Sequence, residues 1–301
     1  MKPSDLMLAL FVVVIWGVNF SFIKIGLEEL PPILFSALRF AIVALPAAFF
    51  IPFPKTSVWN VIGVGLFLGV FKFGLLFIAM KQDASAGISS LLLQAQVFFT
   101  IALSMVVLKE SVTKFQLAGI SIALVGFVTI ALNVGGNITA LGLSMLLLAA
   151  LFWGFANLIM KRMKQVNLLH FMVWVSLIPP IPLLLLSYYT ETNSPIELLL
   201  ATSMPTWGAL AFVSYLSTLV AFAVWGKLLS LYSAAVVTPF ALLIPIAGIA
   251  TSSLMLGEVL TSDEIASALL IMFGLSICVF GSKLQTAIAK RKSRSVEVEA
   301  E

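Results

Sequence analysis

The sequence is short of charged residues. Asp, Glu, Lys and Arg make up 10% of its 301 residues, whereas 61% are hydrophobic and the mean hydropathy is +1.14. A typical soluble domain has about 25% charged residues, so this composition excludes an ordinary globular protein. The chain also has a single cysteine, Cys278, which excludes an internal disulfide, and a single histidine, His170.

The chain is instead rich in apolar segments of about 20 residues, the length that crosses a lipid bilayer as a helix. Lipid cannot satisfy free backbone groups, and the segments lack the polar alternation of barrel strands, so each is predicted to be helical. The predicted fold is an all-α polytopic membrane protein with ten transmembrane helices. Their predicted bounds are 6–26, 33–52, 58–80, 84–107, 114–132, 140–161, 170–189, 207–227, 233–256 and 262–282.

The basic residues indicate how the chain is oriented. With ten crossings both termini share one face, and thirteen of the seventeen lysines and arginines lie on that face. Lys24 and Lys81 lie on the other face, and Arg39 and Lys72 lie inside helices. The positive-inside rule therefore predicts that both termini are cytoplasmic, including a tail over 283–301. The net charge of +4 reports this topology, and no nucleic-acid partner is expected.

The two halves of the sequence resemble each other. WGVNFSFIK, which starts at Trp16, matches WGFANLIMK, which starts at Trp153, at an offset of 137 residues. Further along, the offset grows to 148, as in the match of Glu110 with Glu258. These glutamates end predicted helices 4 and 9, where we expect them to cap the turns that follow. The eleven added residues fit in the longer loop between predicted helices 7 and 8.

Each half contains five helices, so the second half must be inverted in the membrane relative to the first. The predicted domains are a first repeat over 6–132 and a second, inverted repeat over 140–282. Inverted repeats are typical of transporters, whose binding site lies near the bilayer midplane between the halves. This architecture favours alternating-access transport over catalysis.

The sequence also resembles a known family. The WG pair in the first helix of each half, Arg39-Phe40, and the L-x-E-x-x-T element after helices 4 and 9 resemble the EamA family of the drug/metabolite transporter superfamily. LLLQAQVFFTIAL, LKESVTKFQLAGI and VVTPFALLIPIAGIA are similar to bacterial exporters of O-acetylserine and cysteine. The resemblance implies a ten-helix exporter of the bacterial inner membrane with a central cavity and no cofactor. A broader exporter of drugs or organic anions is the alternative.

Two cations lie within predicted helices. Lys72 is about 13 Å and Arg39 about 9 Å from the outer ends of their helices. A charge in the bilayer centre costs roughly 2.5–3.5 kcal/mol, which makes such residues functional candidates. We expect Lys72, Arg39 or both to attract a substrate carboxylate. Lysine snorkelling, an arginine tie between helices, or an ion pair with Asp83, Glu28 or Glu29 are the alternatives.

Amides and aromatic residues complete the predicted substrate site. Gln94 and Gln96 are two positions apart on a helix and cannot share a face, and Gln94 is favoured for the cavity. Asn19 and Asn157 are either substrate contacts or hydrogen-bonded ties between helices. Four aromatic residues lie deeper than an interfacial belt and form either packed core or cavity wall: Trp16, Trp153, Tyr215 and Trp225.

The sequence gives little support to other classes of protein. GISS, at residues 87–90, resembles an element of intramembrane serine proteases, but His170 lies at a membrane surface, so no catalytic residue is predicted. No metal-binding motif and no ATP-binding GxxxxGK[ST] are present. A receptor or scaffold is disfavoured by the repeat. We predict a transporter of a small molecule in the lipid bilayer, with the coupling ion and the choice between monomer and homo-oligomer left open.

Overall fold

The computed structural model describes residues 1–163 and 166–281, although not the side chains of 234 and 235. The predicted cytoplasmic tail, 283–301, lies outside these ranges. Within them, nine helices are long and apolar enough to cross a membrane, and a further apolar helix, Pro32–Ala48, is shorter. The same ranges contain isolated β-bridges and no strand. The predicted all-helical membrane class is therefore confirmed.

We number the apolar helices in chain order. They are α1 (Pro3–Glu29), α2 (Pro32–Ala48), α3 (Val58–Gln82), α4 (Ala86–Leu108), α5 (Lys114–Leu132), α6 (Ala140–Arg162), α7 (Leu168–Thr190), α8 (Met204–Leu231), α9 (Thr238–Leu256) and α10 (Ser262–Gly281).

Local chemistry explains where several of these helices begin and end. Ser and Thr hydroxyls or an Asn amide oxygen accept hydrogen bonds from the first turns, as N-cap residues do. These residues are Ser57, Ser85, Thr113, Thr139, Asn167 and Thr261. The predicted second helix reaches residue 52, but α2 ends at Ala48. Pro52 and Pro54 lack backbone donors and disfavour a helical residue before them, so the helix cannot continue.

Several of the long helices are interrupted or change their hydrogen-bonding pattern. π-helical stretches occur in α3 at Gly65–Lys72 and in α8 at Phe212–Val220. Helix α4 breaks at Leu93 and Gln94, and α9 opens with the 3₁₀ stretch Thr238–Leu243. Helix α7 is broken before Pro180. Interruptions of this kind in membrane helices frequently mark functional sites.

The chain divides into two compact units. The larger comprises residues 1–104 and 134–259 and contains every residue of the predicted substrate site. Among the described residues, the smaller comprises 105–133 and 260–281. Inside the smaller unit, α5 and α10 approach closely because Gly119 faces Gly274, and a Cβ added to Gly274 would collide with the backbone of Gly119 and with Ala123. Small residues allow such close helix packing in membranes.

We therefore expect Gly274→Val to destabilise the smaller unit. Overpacking of a tight contact costs typically about 1–3 kcal/mol, so the thermal unfolding temperature in detergent should fall. Gly208→Val is the matched control, because no atom lies within 4 Å of a Cβ added at this helical glycine. Equal unfolding temperatures for the two variants would show that the close approach of α5 and α10 does not contribute to stability.

Candidate functional site

Arg39 is a buried cation on α2 with most of its hydrogen-bonding capacity unused. The residue is 3% exposed, and its Nη2 donates to the Thr218 hydroxyl at 3.0 Å. Its Nε and Nη1 have no hydrogen-bond partner. The guanidinium carbon lies 4.1 Å from the centroid of the Phe73 ring. A cation–π contact offsets only part of the cost of burying a charge, so the guanidinium is suited to receive an anion.

Lys72 lies against the same phenyl ring. Its Nζ is 3.3 Å from the Phe73 centroid and 4.6 Å from the Trp153 ring on α6. The residue is 4% exposed, so the side chain is enclosed by protein and does not extend along a lipid-facing surface. Arg39 and Lys72 therefore both contact Phe73, which brings two basic side chains to one buried ring.

Two of the acidic residues predicted as alternative partners of these cations, Asp83 and Glu29, bond other residues. Asp83 Oδ1 accepts a hydrogen bond from the Thr139 hydroxyl at 2.7 Å, and Glu29 Oε2 accepts one from the Ser203 backbone N–H at 2.8 Å. Because neither carboxylate is directed at Arg39 or Lys72, the two cations are not neutralised by them.

The π-helical stretch of α8 supplies the hydroxyl that holds Arg39. Thr218 Oγ1 donates to the carbonyl of Val213, five residues earlier, at 3.1 Å. Because the hydroxyl proton is used in that bond, the oxygen is free to accept from Arg39. Ser214, one turn before Thr218, is fully buried and its hydroxyl has no partner. Sequence reasoning missed both residues, since hydropathy does not distinguish a π-helical turn from an α-helical one.

Helix α1 also packs against this stretch. Trp16 Nε1 donates to the Ser217 carbonyl at 3.0 Å, and its ring lies 5.1 Å from that of Trp225. One and a half turns further on, Phe22 stacks on Phe212 with centroids 4.0 Å apart. Trp16 on α1 and Trp225 on α8 thus bring these two helices together.

Asn19 lies between those two α1–α8 contacts in sequence. It is 7% exposed, and its Oδ1 has no hydrogen-bond partner. Tyr215 is 41% exposed and takes no part in the ring contacts that join the other aromatic residues of the predicted site. Asn19 is therefore brought to the π-helical stretch, whereas Tyr215 is turned away from the buried cluster.

The remaining amides take different roles. Asn157 Nδ2 donates to Gln96 Oε1 and, at 3.1 Å, to Thr100 Oγ1, which ties α6 to α4. Gln94 is buried where α4 breaks. Of the two glutamines, Gln96 is thus the one that hydrogen-bonds a neighbouring helix.

Three glutamates hold helix N-termini from the opposite half of the chain. Glu258 accepts from the backbone N–H groups of Ala86 at 2.7 Å and Gly87 at 3.0 Å, at the start of α4. Glu191 accepts from Ile33 at 2.8 Å and Leu34 at 2.9 Å, at the start of α2. Glu29 bonds Ser203, just before α8. Negative charge at a helix N-terminus is favourable.

The expectation that Glu258 caps the turn after it is therefore wrong. Thr261 caps α10 instead, and the Glu258 carboxylate binds residues 172 positions earlier. Sequence reasoning could not find this contact because nothing local to Glu258 indicates its partner.

Lys24 and Lys81 cap helix C-termini reciprocally. Lys81, near the end of α3, donates to the carbonyls of Leu27 and Glu28 at the end of α1. Lys24 of α1 donates to the carbonyls of Met80 and Ala84 at the end of α3. Each ammonium satisfies carbonyls that a helix leaves unpaired, which gives both lysines a structural role.

Comparison with known proteins identifies the family to which these apolar helices belong. The profile of the EamA-like transporter family matches residues 4–132 and 140–280. With these matches, the helices define a multi-pass membrane transporter. The chain belongs to the EamA-like transporter family, which confirms the predicted family.

Two relatives cover nearly the whole chain. A "Probable amino-acid metabolite efflux pump" of Salmonella typhimurium is 40% identical over 292 residues, 95% of this chain and 98% of the relative. Its namesake in Escherichia coli K12 is 38% identical over 296 residues, 96% and 99% of the two chains. These relatives are efflux pumps, in agreement with the expectation that this chain is not an enzyme. A crystal structure with 16% identity, which aligns over 95% of this chain and 99% of its own with a TM-score of 0.60, shares the fold.

Proposed function

We propose that this protein is a secondary exporter of the bacterial inner membrane that moves small amino acids or amino-acid metabolites of the cysteine and O-acetylserine type. The observation that carries the proposal is the Arg39 guanidinium, which is buried with two N–H-bearing nitrogens unpartnered. An arginine presents a bidentate fork to a carboxylate, and Lys72, which contacts the same Phe73 ring, can add a point charge. The names of the two efflux-pump relatives support the same substrate class.

We further propose that the shorter helix α2 also crosses the membrane, which brings the number of crossings to ten. Residues 6–132 and 140–282 are then two inverted halves, which expose the substrate site to one side of the membrane at a time. The interruptions of the helices support this reading. Shifting the π-helical stretch Gly65–Lys72 by the repeat offset of 148 residues places it on 213–220, within one residue of Phe212–Val220. The break at Leu93–Gln94, shifted in the same way, falls inside Thr238–Leu243. Related halves would be expected to repeat such features.

With both termini cytoplasmic, the three helix-holding glutamates lie at the outer face. Each joins one half of the chain to the other, because Glu29 binds in the second half while Glu191 and Glu258 bind in the first. They are suited to seal the outer side while the substrate site is open to the cytoplasm.

The other predicted site residues divide by role. Trp16, Trp153 and Trp225 are proposed as walls beside the cations, and Asn157 as a tie between helices. Gln94, at the break in α4, is proposed to contact the substrate, and Tyr215 to act at the periphery. The aromatic rings around Arg39 and Lys72 also favour a second candidate, a broader exporter of organic anions.

Uptake of labelled cysteine and O-acetylserine into inside-out vesicles tests the proposal. Wild type should accumulate both compounds, and Lys72→Met should lower the initial rate by about tenfold or more, because one charge-assisted contact is worth about 1.5–3 kcal/mol. Methionine keeps the apolar stem and removes the charge. Lys55→Met is the matched control, since Lys55 is exposed in the loop before α3.

Each outcome of the uptake experiment tests one part of the proposal. Normal uptake by folded Lys72→Met would remove Lys72 from the substrate site. Transport of neither compound by wild type would overturn the substrate class, and inhibition of uptake by bulky organic anions but not by amino acids would favour the second candidate.

A further inference from the structure

Buried polar atoms without hydrogen-bond partners mark where a bound substrate would complete the site. Most buried polar side chains in folded proteins are hydrogen-bonded, so each exception requires an explanation. Around the π-helical stretch of α8, the exceptions are Arg39 Nε and Nη1, Asn19 Oδ1, and the hydroxyls of Ser36 and Ser214. All four residues are at least nine-tenths buried.

These residues converge on one stretch of α8 from two helices. Ser36 lies one turn before Arg39 on α2, and positions three apart share a helical face. Arg39 meets the stretch at Thr218. Asn19 lies on α1 between Trp16, which bonds Ser217, and Phe22, which stacks on Phe212. The unpartnered groups of α1 and α2 thus both lie against the segment that contains Ser214.

The unpartnered atoms are chemically different from one another. Arginine offers donors only, which suits an anion, whereas the amide Oδ1 of Asn19 offers an acceptor and requires a donor. The Ser214 hydroxyl can accept as well. A purely anionic ligand would satisfy Arg39 and leave the Asn19 oxygen unpaired, at the cost of a buried acceptor without a bond.

We propose that Asn19 and Ser214 bind the α-ammonium group of the substrate while Arg39 binds its carboxylate, so that the site recognises an α-amino acid as a zwitterion. This assignment rests on the proposed export function and names the group that each residue recognises. Asn157 provides the contrast. Its amide already bonds Gln96 and Thr100, so it has no comparable need for a ligand.

Competition between cysteine and its des-amino analogue, 3-mercaptopropionate, tests the assignment. In wild-type inside-out vesicles the analogue should compete at least about tenfold more weakly than cysteine, because it lacks the ammonium. In Asn19→Leu, which removes the acceptor at similar volume, the apparent affinity for cysteine should fall about tenfold while that for the analogue stays unchanged. Ser214→Ala should likewise lower the apparent affinity for cysteine relative to that for the analogue.

Asn60→Leu is the control, because Asn60 bonds Thr56 near the start of α3, away from this site. Ligand-induced thermal stabilisation in detergent gives the same affinity ratio if a folded variant transports too slowly. An unchanged ratio in Asn19→Leu and Ser214→Ala, or equal competition by both compounds in wild type, overturns the ammonium site and leaves the export function standing. If wild type neither binds nor moves any α-amino acid, both proposals fall.

Discussion

Arg39→Met should reduce transport by about 100-fold while leaving the protein as stable as wild type or more so. Loss of a charge-assisted bidentate contact of about 3 kcal/mol accounts for the rate. The stability follows from burial, because Arg39 is 3% exposed and has a single hydrogen-bond partner, Thr218. Replacing an uncompensated buried charge by an apolar side chain of similar length removes a desolvation cost. Initial uptake rates and thermal unfolding of the same preparations provide the two measurements.

A fall in transport without a fall in stability distinguishes a residue that binds substrate from one that only ties helices together. If Arg39 mainly held α2 against α8, methionine would lower the unfolding temperature along with transport. Arg39→Lys should recover part of the rate, since a lysine keeps the charge but not the fork. Arg162→Met is the matched control, because Arg162 is exposed at the end of α6. Transport by Arg39→Met within about threefold of wild type, well below the value of one charge-assisted contact, would contradict the carboxylate anchor.

Hydropathy was sufficient to predict where the helices run. The predicted segment 114–132 coincides with α5, and 140–161 ends one residue before α6 does. The apolar run cannot report where hydrogen bonding changes from α to π, because apolar side chains are compatible with both patterns. The stretch Phe212–Val220, which presents Ser214 and Thr218, was therefore invisible in the sequence.

The cations of the site were predictable because a charge in an apolar run is rare, and both Arg39 and Lys72 are buried. Their surroundings were not. Thr218 lies 179 residues from Arg39, and the aromatic contact of Lys72 with Trp153 joins different halves of the chain. Such contacts depend on how helices are placed against one another, which residue type and local spacing do not specify. For the same reason, the sequence did not indicate the hydrogen-bond partners of Glu258.

Glu258→Ala should open the proposed outer seal. The carboxylate makes two hydrogen bonds to the N-terminus of α4, and their loss at about 1.5–3 kcal/mol each would shift the balance toward outward-open states by tenfold or more. Ser89→Cys, introduced into a Cys278→Ser background, is the reporter, since Ser89 is fully buried one turn inside α4. A membrane-impermeant maleimide added from outside should label it at least about tenfold faster in the Glu258→Ala variant.

Graded variants show whether the effect comes from the contact itself. Glu258→Gln should label at an intermediate rate, because its one amide oxygen can replace only one of the two acceptors that hold Ala86 and Gly87. Glu197→Ala, in an exposed position of the short helix Pro195–Ala201, should label as wild type does. If labelling is slow in every variant, the glutamate contributes to helix stability alone. If it is fast in Glu258→Ala, α4 is held closed by a residue from the opposite half of the chain, as alternating access between the halves requires.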